Sequence, residues 1–305
     1  MRVGLIGCGN WGRHILRDLK MLDCEVAVVA RSEKSVANAK NGGADAIVQH
    51  TADLPHIDGA IVAAPTSLHG QIVLEMLDSR TCPIFCEKPL TNAIPDAEAI
   101  VERGSGRVFV MDKWRYHPGI QALGNIARSG ELGPVMGLKT VRLGWGNPHA
   151  DVDVAWILLP HELAIALEIT GRIPNPVRAA AEFDRRGLMT LTAWLEDGYW
   201  MSSEVSARYP GHKRTVELRC AGGIAKLADS NDRDIQILRT DRWSEGGQPP
   251  AWELRPVEVR MPLYAELTAF VEHLRGGPPP RSSSKDGLQV VKAITMLRAM
   301  AGLSG

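Results

Sequence analysis

The sequence has no excess of charge of either sign and no long apolar run. Its 305 residues include 35 Lys and Arg against 35 Asp and Glu. A nucleic-acid partner would need a basic patch, and a membrane span would need about 20 consecutive apolar residues. The sequence has neither pattern, so we expect no nucleic-acid and no membrane partner. Small molecules and further copies of the chain are the expected partners.

Cysteine is scarce, and its spacing does not fit a metal site. The five cysteines are odd in number, and the pair Cys82 and Cys86 has no second Cys or His pair to complete a ligand set. We expect reduced thiols, no bound metal and a cytoplasmic location. A strand-like run that starts at Arg2 leaves no room for a secretory signal peptide, which favours the same location.

The first 110 residues alternate short β-branched runs with amphipathic segments. Runs typical of buried strands cover residues 3–6, 26–29, 59–63, 83–85 and 108–110. The segments 12–22 and 68–77 carry apolar residues at helical spacing. This alternation predicts an α/β fold with a parallel, doubly wound sheet of the Rossmann type.

The second half has a different texture. Helix-like stretches at 119–129 and 153–170 flank a long strand candidate at 135–145, and turn-rich, alternating runs fill 177–259. Helices are expected at 263–274 and 285–301. The pattern predicts an α+β domain with a mostly antiparallel sheet. We expect domains at 1–113 and 114–284, with the C-terminal helix of 285–305 packing back on the first domain.

Three glycines lie between the first predicted strand and the first predicted helix, at Gly7, Gly9 and Gly12. In the G-x-G-x-x-G pattern the first glycine allows a tight turn, the second lets the backbone approach a pyrophosphate, and the third lets the helix pack on the strand. The helix N terminus adds N–H groups and a positive dipole for the phosphates. The sequence therefore predicts NAD or NADP as cofactor.

The residues after the second predicted strand favour NADP. An NAD-selective unit places Asp or Glu there to bind the ribose hydroxyls, whereas this sequence has Ala30. Arg31, Ser32 and Lys34 would instead favour a 2′-phosphate. The alternative is that Arg31 is a solvated residue at the helix start and that Glu33 reaches the ribose.

Six segments, in order and spacing, resemble the Gfo/Idh/MocA family of oxidoreductases. They are residues 4–12, 58–69, 86–90, 115–118, 129–133 and 284–288. The resemblance implies a Rossmann domain followed by an α+β domain with an open, mostly antiparallel sheet. In the family that sheet often serves oligomerisation, so we expect a homodimer or homotetramer.

The resemblance also implies which residues contact the cofactor and the reacting oxygen. Beside the glycines and the residues after the second strand, the implied cofactor contacts are Asn10, Trp11, Ala64, Pro65, Thr66, His69, Glu87 and Lys88. Lys88 comes just after a predicted strand, at the carboxyl edge where ligands of parallel sheets bind. By resemblance, Lys88 is the catalytic proton donor or acceptor on the substrate oxygen.

The second catalytic element of the family is altered in this chain. Many members carry an Asp four residues before a His on the first long helix of the substrate domain. Here His161 fits the histidine position, but the Asp position is Ile157. Residues four apart share a helix face, so Ile157 would form an apolar wall. Either Lys88 and His161 suffice for proton transfer, or the chain binds cofactor and ligand without the usual catalysis.

Other residues are candidates for substrate binding, each balanced against a structural role. They are Arg115, Tyr116, Trp145, Asn147, His149, Asp153 and Trp156, with the basic segment 208–214, expected as a loop. That segment is either solvated or contacts the phosphates of a nucleotide sugar.

The expected activity is reversible NAD(P)-dependent oxidation of a secondary alcohol on a sugar, nucleotide sugar or polyol. Two alternatives stay open. One is a redox-cycling glycoside hydrolase, and the other is a non-catalytic dinucleotide-binding sensor, suggested by Ile157.

Overall fold

The chain divides into two compact units. The computed structural model describes residues 1–104, 106–147, 151–185, 187–240 and 250–303. One unit is Met1–Lys113 with Met261–Val291, and the other is Trp114–Arg260 with Lys292–Gly305. The expected domain boundaries after residues 113 and 284 stay a prediction.

The first unit contains a six-stranded parallel sheet. Its strands are β1 (Arg2–Ile6), β2 (Glu25–Val29), β3 (Ala46–Val48), β4 (Gly59–Val62), β5 (Ile84–Glu87) and β6 (Val108–Met111). The spatial order is β3-β2-β1-β4-β5-β6. The connecting helices are α1 (Gly12–Met21), α2 (Glu33–Asn41), α3 (His69–Ser79) and α4 (Ile94–Gly104). This order confirms the predicted doubly wound Rossmann sheet.

The second unit contains an eight-stranded sheet. Its elements are α5 (Pro118–Ser129), β7 (Val135–Trp145), α6 (Val154–Thr170), β8 (Pro176–Asp184), β9 (Gly187–Glu196), β10 (Trp200–Ser206), β11 (Arg208–Cys220), β12 (Gly223–Leu227), β13 (Asp234–Arg239) and β14 (Glu253–Pro256). The order is β14-β13-β12-β11-β7-β10-β9-β8. Only the pairing of β7 with β10 is parallel, which confirms the mostly antiparallel sheet.

The chain then forms α7 (Pro262–Leu274) and α8 (Ser284–Met300). α7 belongs to the first unit and packs on α1. Its Phe270 is fully buried and stacks on Phe85 of β5, with 4.9 Å between ring centroids. A residue late in the chain therefore completes the core of the Rossmann unit.

α6 covers one face of the second sheet. Along β7, Leu138, Thr140 and Arg142 are buried, whereas Lys139 between them is exposed. α6 packs against β7, β9 and β10, and its Glu162 forms an ion pair with Arg142. Because side chains alternate across a sheet, the even-numbered residues of this part of β7 point toward α6.

The basic segment 208–214 is part of strand β11, so its prediction as a loop is wrong. β11 pairs with β7, irregularly between Arg208 and Lys213 and then in regular register to Arg219. Pro210 and Gly211 suggest a turn in the sequence. The irregular stretch accommodates both residues, as β-bulges commonly do.

The described residues contain neither a membrane-spanning helix nor a cluster of metal-binding side chains. No helix there is long and apolar enough to span a bilayer. No group of three or more His, Cys, Asp or Glu side chains in those ranges could hold a metal ion. All five cysteines are free thiols, and four of them are buried.

Glu131 links the end of α5 to strand β13 and to the edge strand β14. Its carboxylate accepts hydrogen bonds from Arg255 at 2.7 and 2.8 Å and from Arg239 at 2.6 Å. These hydrogen bonds, led by those from Arg255, lower the pKa of Glu131 from 4.5 to about 2. The carboxylate is therefore more stable in the folded chain than in the unfolded chain.

We expect Glu131→Gln to lower the free energy of unfolding at pH 7 by about 1 kcal/mol, since partial exposure screens the ion pairs. A depressed pKa stabilises the fold above the unfolded value of 4.5, and this contribution is lost as the pH falls through about 2. Urea unfolding of both proteins should show a constant difference above about pH 5 that shrinks toward pH 2. A difference independent of pH would contradict this role.

Candidate active site

The loop after β1 is shaped by glycine. Gly7 has φ +99°, a conformation that side-chain-bearing residues rarely adopt, and a Cβ there would lie 2.6 Å from the carbonyl oxygen of Ala63. The Gly7 amide donates to Val29 O at 3.0 Å, and the Ala63 amide donates to Ile6 O at 2.8 Å. The ends of β1, β2 and β4 therefore converge at Gly7.

Gly9 and Gly12 have different surroundings. A Cβ on Gly12 would meet the Gly7 carbonyl oxygen at 2.2 Å, whereas a Cβ on Gly9 would meet nothing within 4 Å. α1 begins at Gly12, and no described side chain caps its N terminus. Close packing at Gly12, open space at Gly9 and an uncapped helix N terminus fit a bound pyrophosphate.

Asn38 of α2 holds the glycine loop from outside the motif. Its Nδ2 donates to Cys8 O at 2.8 Å and to Gly9 O at 3.3 Å. Sequence reasoning missed Asn38, because nothing in a helix 29 residues from Gly9 signals this contact. The side-chain amide fixes the two carbonyl groups that precede Asn10, a predicted cofactor contact that is exposed.

The chain after β2 places the predicted ribose-binding residues on the surface. Ala30 is buried, and its amide donates to Val48 O at 2.9 Å. Arg31 is exposed, and its Nε donates to Gln49 O at 3.1 Å. Ser32 is the N-cap of α2, accepting from the Ser35 amide at 3.2 Å.

Arg31 thus follows the strand next to β1 and is available to solvent. Lys34 lies in the first turn of α2 and is also exposed. The hydroxyl of Ser32 already has a structural function as a helix cap. Of the three residues predicted to favour a 2′-phosphate, Arg31 and Lys34 keep their charged groups at the surface.

The segment after β4 is tied to the segment after β5 by His69. The His69 ring is buried, with Nε2 2.9 Å from Ala64 O and Nδ1 2.8 Å from Pro89 O. Thr66 is buried at the start of a short 3₁₀ helix, and Pro65 precedes it. His69, predicted as a cofactor contact, therefore connects these two segments through its ring nitrogens.

Glu87 and Trp11 connect the glycine loop to the end of β5. The buried Glu87 carboxylate accepts a hydrogen bond from Trp11 Nε1 and another from the Lys88 amide at 3.1 Å. Lys113 Nζ lies 4.3 Å from the Trp11 ring centroid. Burial raises the pKa of Glu87, and the positive charges of Lys88 and Lys113 oppose that shift.

A second buried acid faces this network from α7. Glu266 is 1% exposed, and its Oε2 has no hydrogen-bond partner among the described residues. Burial raises the pKa of Glu266 well above its ordinary value, and the negative charges of Glu87 and Asp112 raise it further. Glu266 therefore favours the neutral form, which avoids a second buried negative charge beside Glu87.

Lys88 is half-buried at the carboxyl end of β5. Parallel strands end at one edge of their sheet, so β1, β4 and β5 bring the glycine loop, the 64–66 segment and Lys88 to the same edge of the first unit. This is the juxtaposition that the sequence predicted for a catalytic lysine.

In the second unit, His161 lies on α6 one turn after Ile157, which is buried. The His161 ring contacts Trp114 edge-on, with 6.5 Å between ring centroids. Trp114 also stacks on His117 at 5.0 Å and lies 4.4 Å from the guanidinium carbon of Arg142. His161 is thus held in an aromatic and cationic environment.

Asp153 has structural partners at the start of α6. Asp153 caps α6, accepting from the amides of Ala155 at 3.0 Å and Trp156 at 3.4 Å, and it pairs with Arg298 at 2.9 Å. Trp156 is buried, and the Arg298 guanidinium carbon lies 5.6 Å from its ring centroid. Both predicted substrate contacts therefore stabilise the helix start.

The remaining predicted substrate contacts are spread over the second unit. Arg115 pairs with Glu168 at 3.3 Å, and Tyr116 is buried. Asn147 is exposed and donates to Val152 O at 3.2 Å. Trp145 is 69% exposed, whereas His149 lies outside the described residues. Their roles in binding substrate stay predictions.

A doubly wound sheet with this glycine loop is typical of a dinucleotide-binding domain. Residues 1–107 match the Gfo/Idh/MocA sequence model, described as an oxidoreductase family with an NAD-binding Rossmann fold. Inositol 2-dehydrogenase 1 of Paenarthrobacter aurescens (strain TC1) is 33% identical, over 91% of this chain and 88% of the relative. The chain belongs to the Gfo/Idh/MocA family.

Other relatives extend the comparison over nearly the whole chain. D-apiose dehydrogenase of Paraburkholderia graminis is 25% identical, over 98% of this chain and 87% of the relative. UDP-N-acetylglucosamine 3-dehydrogenase from Acidithiobacillus ferrooxidans has a similar solved structure, with TM-score 0.83, 23% identity and coverage of 98% and 97%. Levoglucosan dehydrogenase in complex with NADH and levoglucosan gives TM-score 0.86 at 16% identity, covering 99% and 97%. These two structures support the same fold.

Alanine substitutions at Gly9 and Gly12 should have different effects, one on cofactor binding and the other on stability. Gly9→Ala has room in the chain, so we expect an unchanged melting temperature and a rise of about tenfold or more in the Kd for NADH and NADPH as the methyl group meets the pyrophosphate. Gly12→Ala meets the Gly7 carbonyl oxygen and should lower the melting temperature by several degrees. Equal effects of both changes on stability would argue against this assignment.

Proposed function

We propose that this chain is a dehydrogenase for a secondary alcohol on a sugar, nucleotide sugar or cyclic polyol. Membership of an NAD-binding oxidoreductase family supports the redox chemistry. The relatives named above act, by their names, on inositol, apiose, a nucleotide sugar and levoglucosan. All of these are hydroxylated compounds, which supports a substrate of that class.

One observation carries the proposal beyond the family. The hydrogen bond from Trp11 to Glu87 joins the dinucleotide loop to the peptide that contains Lys88. A proton-transferring group must lie within reach of the reacting carbon's oxygen when the cofactor is bound. The Trp11–Glu87 contact fixes the lysine-bearing peptide relative to that loop.

Lys88 is the proposed catalytic residue. A bound nicotinamide would supply the hydride acceptor for the carbinol carbon. The amine of Lys88 would take the hydroxyl proton as the alcohol becomes a carbonyl, and it would return that proton to the oxygen when the reaction runs toward the alcohol. Buried Glu87 directly precedes Lys88 in the chain, and its negative charge would stabilise the ammonium group that forms on Lys88.

His161 is the second proposed catalytic residue, and Ile157 limits what it can do. The buried apolar side chain of Ile157 cannot donate or accept a proton. We propose that His161 orients the substrate hydroxyl while Lys88 transfers the proton. General acid–base groups add about two to four orders of magnitude, so one such group can supply most of the effect.

The relatives named above are dehydrogenases by name, which gives no support to the hydrolase or to the non-catalytic sensor. A redox-cycling hydrolase would release product without net change of absorbance at 340 nm. A sensor would bind the dinucleotide and leave every carbonyl and alcohol unchanged. Both outcomes are distinguishable from dehydrogenase turnover in one assay.

We also propose NADP as the preferred cofactor and a homodimer or homotetramer as the assembly. Exposed Arg31 and Lys34 and the buried, uncharged Ala30 at the end of β2 support NADP. On the face of the second sheet away from α6, Trp194 is 38% exposed and stacks on Trp200 with 5.4 Å between centroids. Light scattering at micromolar concentration tests the assembly, and a monomer would reject it.

Lys88→Met should abolish turnover while leaving dinucleotide binding intact. We expect at least a hundredfold loss of kcat with any sugar or polyol that the wild type oxidises, because the proton acceptor is gone. Absorbance at 340 nm measures turnover, and fluorescence titration measures NADPH binding. The control is Lys40→Met, which removes an exposed lysine of α2. Retention of turnover in Lys88→Met would overturn the proposed role.

Arg31→Ala should separate the two cofactors. Loss of a charge-assisted contact to the 2′-phosphate should weaken NADPH binding by about tenfold or more and leave NADH binding within about twofold. Fluorescence titration of the wild type and of Arg31→Ala with both dinucleotides measures the ratio of the two Kd values in each protein. If the wild type binds NADH more tightly than NADPH, the preference for NADP is wrong.

A further inference from the structure

Two arginines lie opposite each other in the second sheet. The register of β11 against β7 pairs Arg214 with Arg142. Directly opposed residues of antiparallel strands have Cβ atoms about 5 Å apart and share one face of the sheet. Like charges in this arrangement destabilise a sheet, so the pair needs an explanation beyond folding.

The shared face is the one that α6 covers. Arg214 lies on the same face of the sheet as the buried residues Val216 and Leu218 of β11, and Arg142 lies on the same face as Thr140 of β7, because residues two apart in a strand share a face. Unlike those neighbours, Arg214 is exposed. It therefore occupies the point where the covered face of the sheet opens to solvent.

This point is close to the proposed catalytic histidine within the second unit. Arg142 pairs with Glu162, the residue after His161 on α6. The guanidinium of Arg142 also lies over Trp114, and the Trp114 ring contacts the ring of His161. Arg142, Trp114 and His161 thus form a continuous series of contacts that ends beside Arg214.

The two arginines differ in how their charges are compensated by neighbouring groups. Arg142 is 6% exposed and has Glu162 as its ion-pair partner. Arg214 has no hydrogen bond and no ion pair among the described residues. Desolvation lowers the pKa of Arg214, and the charge of Arg142 lowers it more than Asp229 or Glu162 raises it.

We propose that Arg214, beside Arg142, binds an anionic substituent of the substrate, a carboxylate or a phosphate. This inference rests on the proposed function and narrows its substrate class to acidic or phosphorylated hydroxylated compounds. Arg214 offers its free donors to the anion, and Arg142, held by Glu162, adds positive charge. A bound anion would relieve the repulsion between the two guanidinium groups.

The neighbouring cation provides a matched control. Lys213 is also exposed, but its register partner is Leu143, so it lies on the opposite face of the sheet from Arg214. Lys213→Gln removes the same charge one residue away. A general attraction of anions to this basic strand would respond equally to both changes, whereas a site on the α6 face responds only to Arg214.

Three probes test the inference on the full chain loaded with NADPH: UDP-N-acetylglucosamine for phosphate, D-glucuronate for carboxylate and myo-inositol as a neutral compound. Calorimetric titration gives each Kd. We expect the wild type to bind an anionic probe, and Arg214→Gln to raise that Kd by about tenfold or more, the effect of losing a charge-assisted hydrogen bond. Arg214→Lys should restore part of the affinity, and Lys213→Gln should change nothing.

Three further readouts exclude trivial causes. Arg214→Gln should melt no lower than the wild type, because it removes a like-charge pair, and its Kd for NADPH should stay within about twofold. Added salt should weaken the anionic probe more in the wild type than in Arg214→Gln. The anionic probe with the lower Kd for the wild type shows whether the site prefers a phosphate or a carboxylate.

The anion site is overturned if the wild type binds neither anionic probe, or if Arg214→Gln and Lys213→Gln behave alike. Those results leave the dehydrogenase proposal standing when myo-inositol is oxidised at 340 nm. Conversely, binding through Arg214 with no turnover of any probe supports the anion site and counts against the dehydrogenase.

Discussion

The buried carboxylate of Glu87 is the group on which the edge of the first sheet depends. It is 8% exposed and accepts hydrogen bonds from Trp11 Nε1 and the Lys88 amide. A buried carboxylate that lost one of these donors would cost about 1–3 kcal/mol or more. The fold therefore holds the glycine loop and the lysine-bearing peptide in one arrangement. Burial and the charge of Glu87 raise the pKa of Glu266 on α7, which disfavours a second negative charge beside Glu87.

The fold was largely predictable, because buried strands have a strong local signature. β1, β4 and β7 are continuous or alternating apolar runs bounded by turn residues. β3 was not predicted, since its three half-buried residues are too few to show a period. β11 was predicted only in part, because its bulged first half carries turn residues within a strand.

The same holds for the candidate site: residues within one short loop could be predicted from the sequence, whereas contacts between distant segments could not. Gly7, Gly9 and Gly12 are predictable because the turn, the phosphate approach and the helix packing are all properties of one short loop. Asn38 and the opposition of Arg142 and Arg214 were not predictable, because they depend on contacts between distant segments. Register decides which face of the sheet a side chain occupies, and no motif in the sequence encodes it.

Residue type alone also fails to separate ligand contacts from structural ones. Ser32 and Asp153 were predicted as binding residues, and both are helix N-caps in this structure. Helix caps and ligand contacts use the same short polar side chains, because the same oxygen atom can accept a hydrogen bond from a backbone N–H group or from a ligand hydroxyl. The distinction becomes visible only when the partners are known, as with the ion pair between Asp153 and Arg298.

Ile157 stands where many family members have an Asp, and this bears on the proposed role of Arg214. An Asp on α6 could hydrogen-bond a substrate hydroxyl, whereas Ile157 contributes only apolar contact. Glu162 on the same helix is already paired with Arg142, so it has little remaining capacity to bind a hydroxyl. His161 is then the proposed contact for the reacting hydroxyl, and a second polar contact to the substrate has to come from another group on the covered face of the sheet. Among the described residues Arg214 has no hydrogen-bond or ion-pair partner, and a guanidinium recognises an anion more strongly than it recognises a neutral hydroxyl.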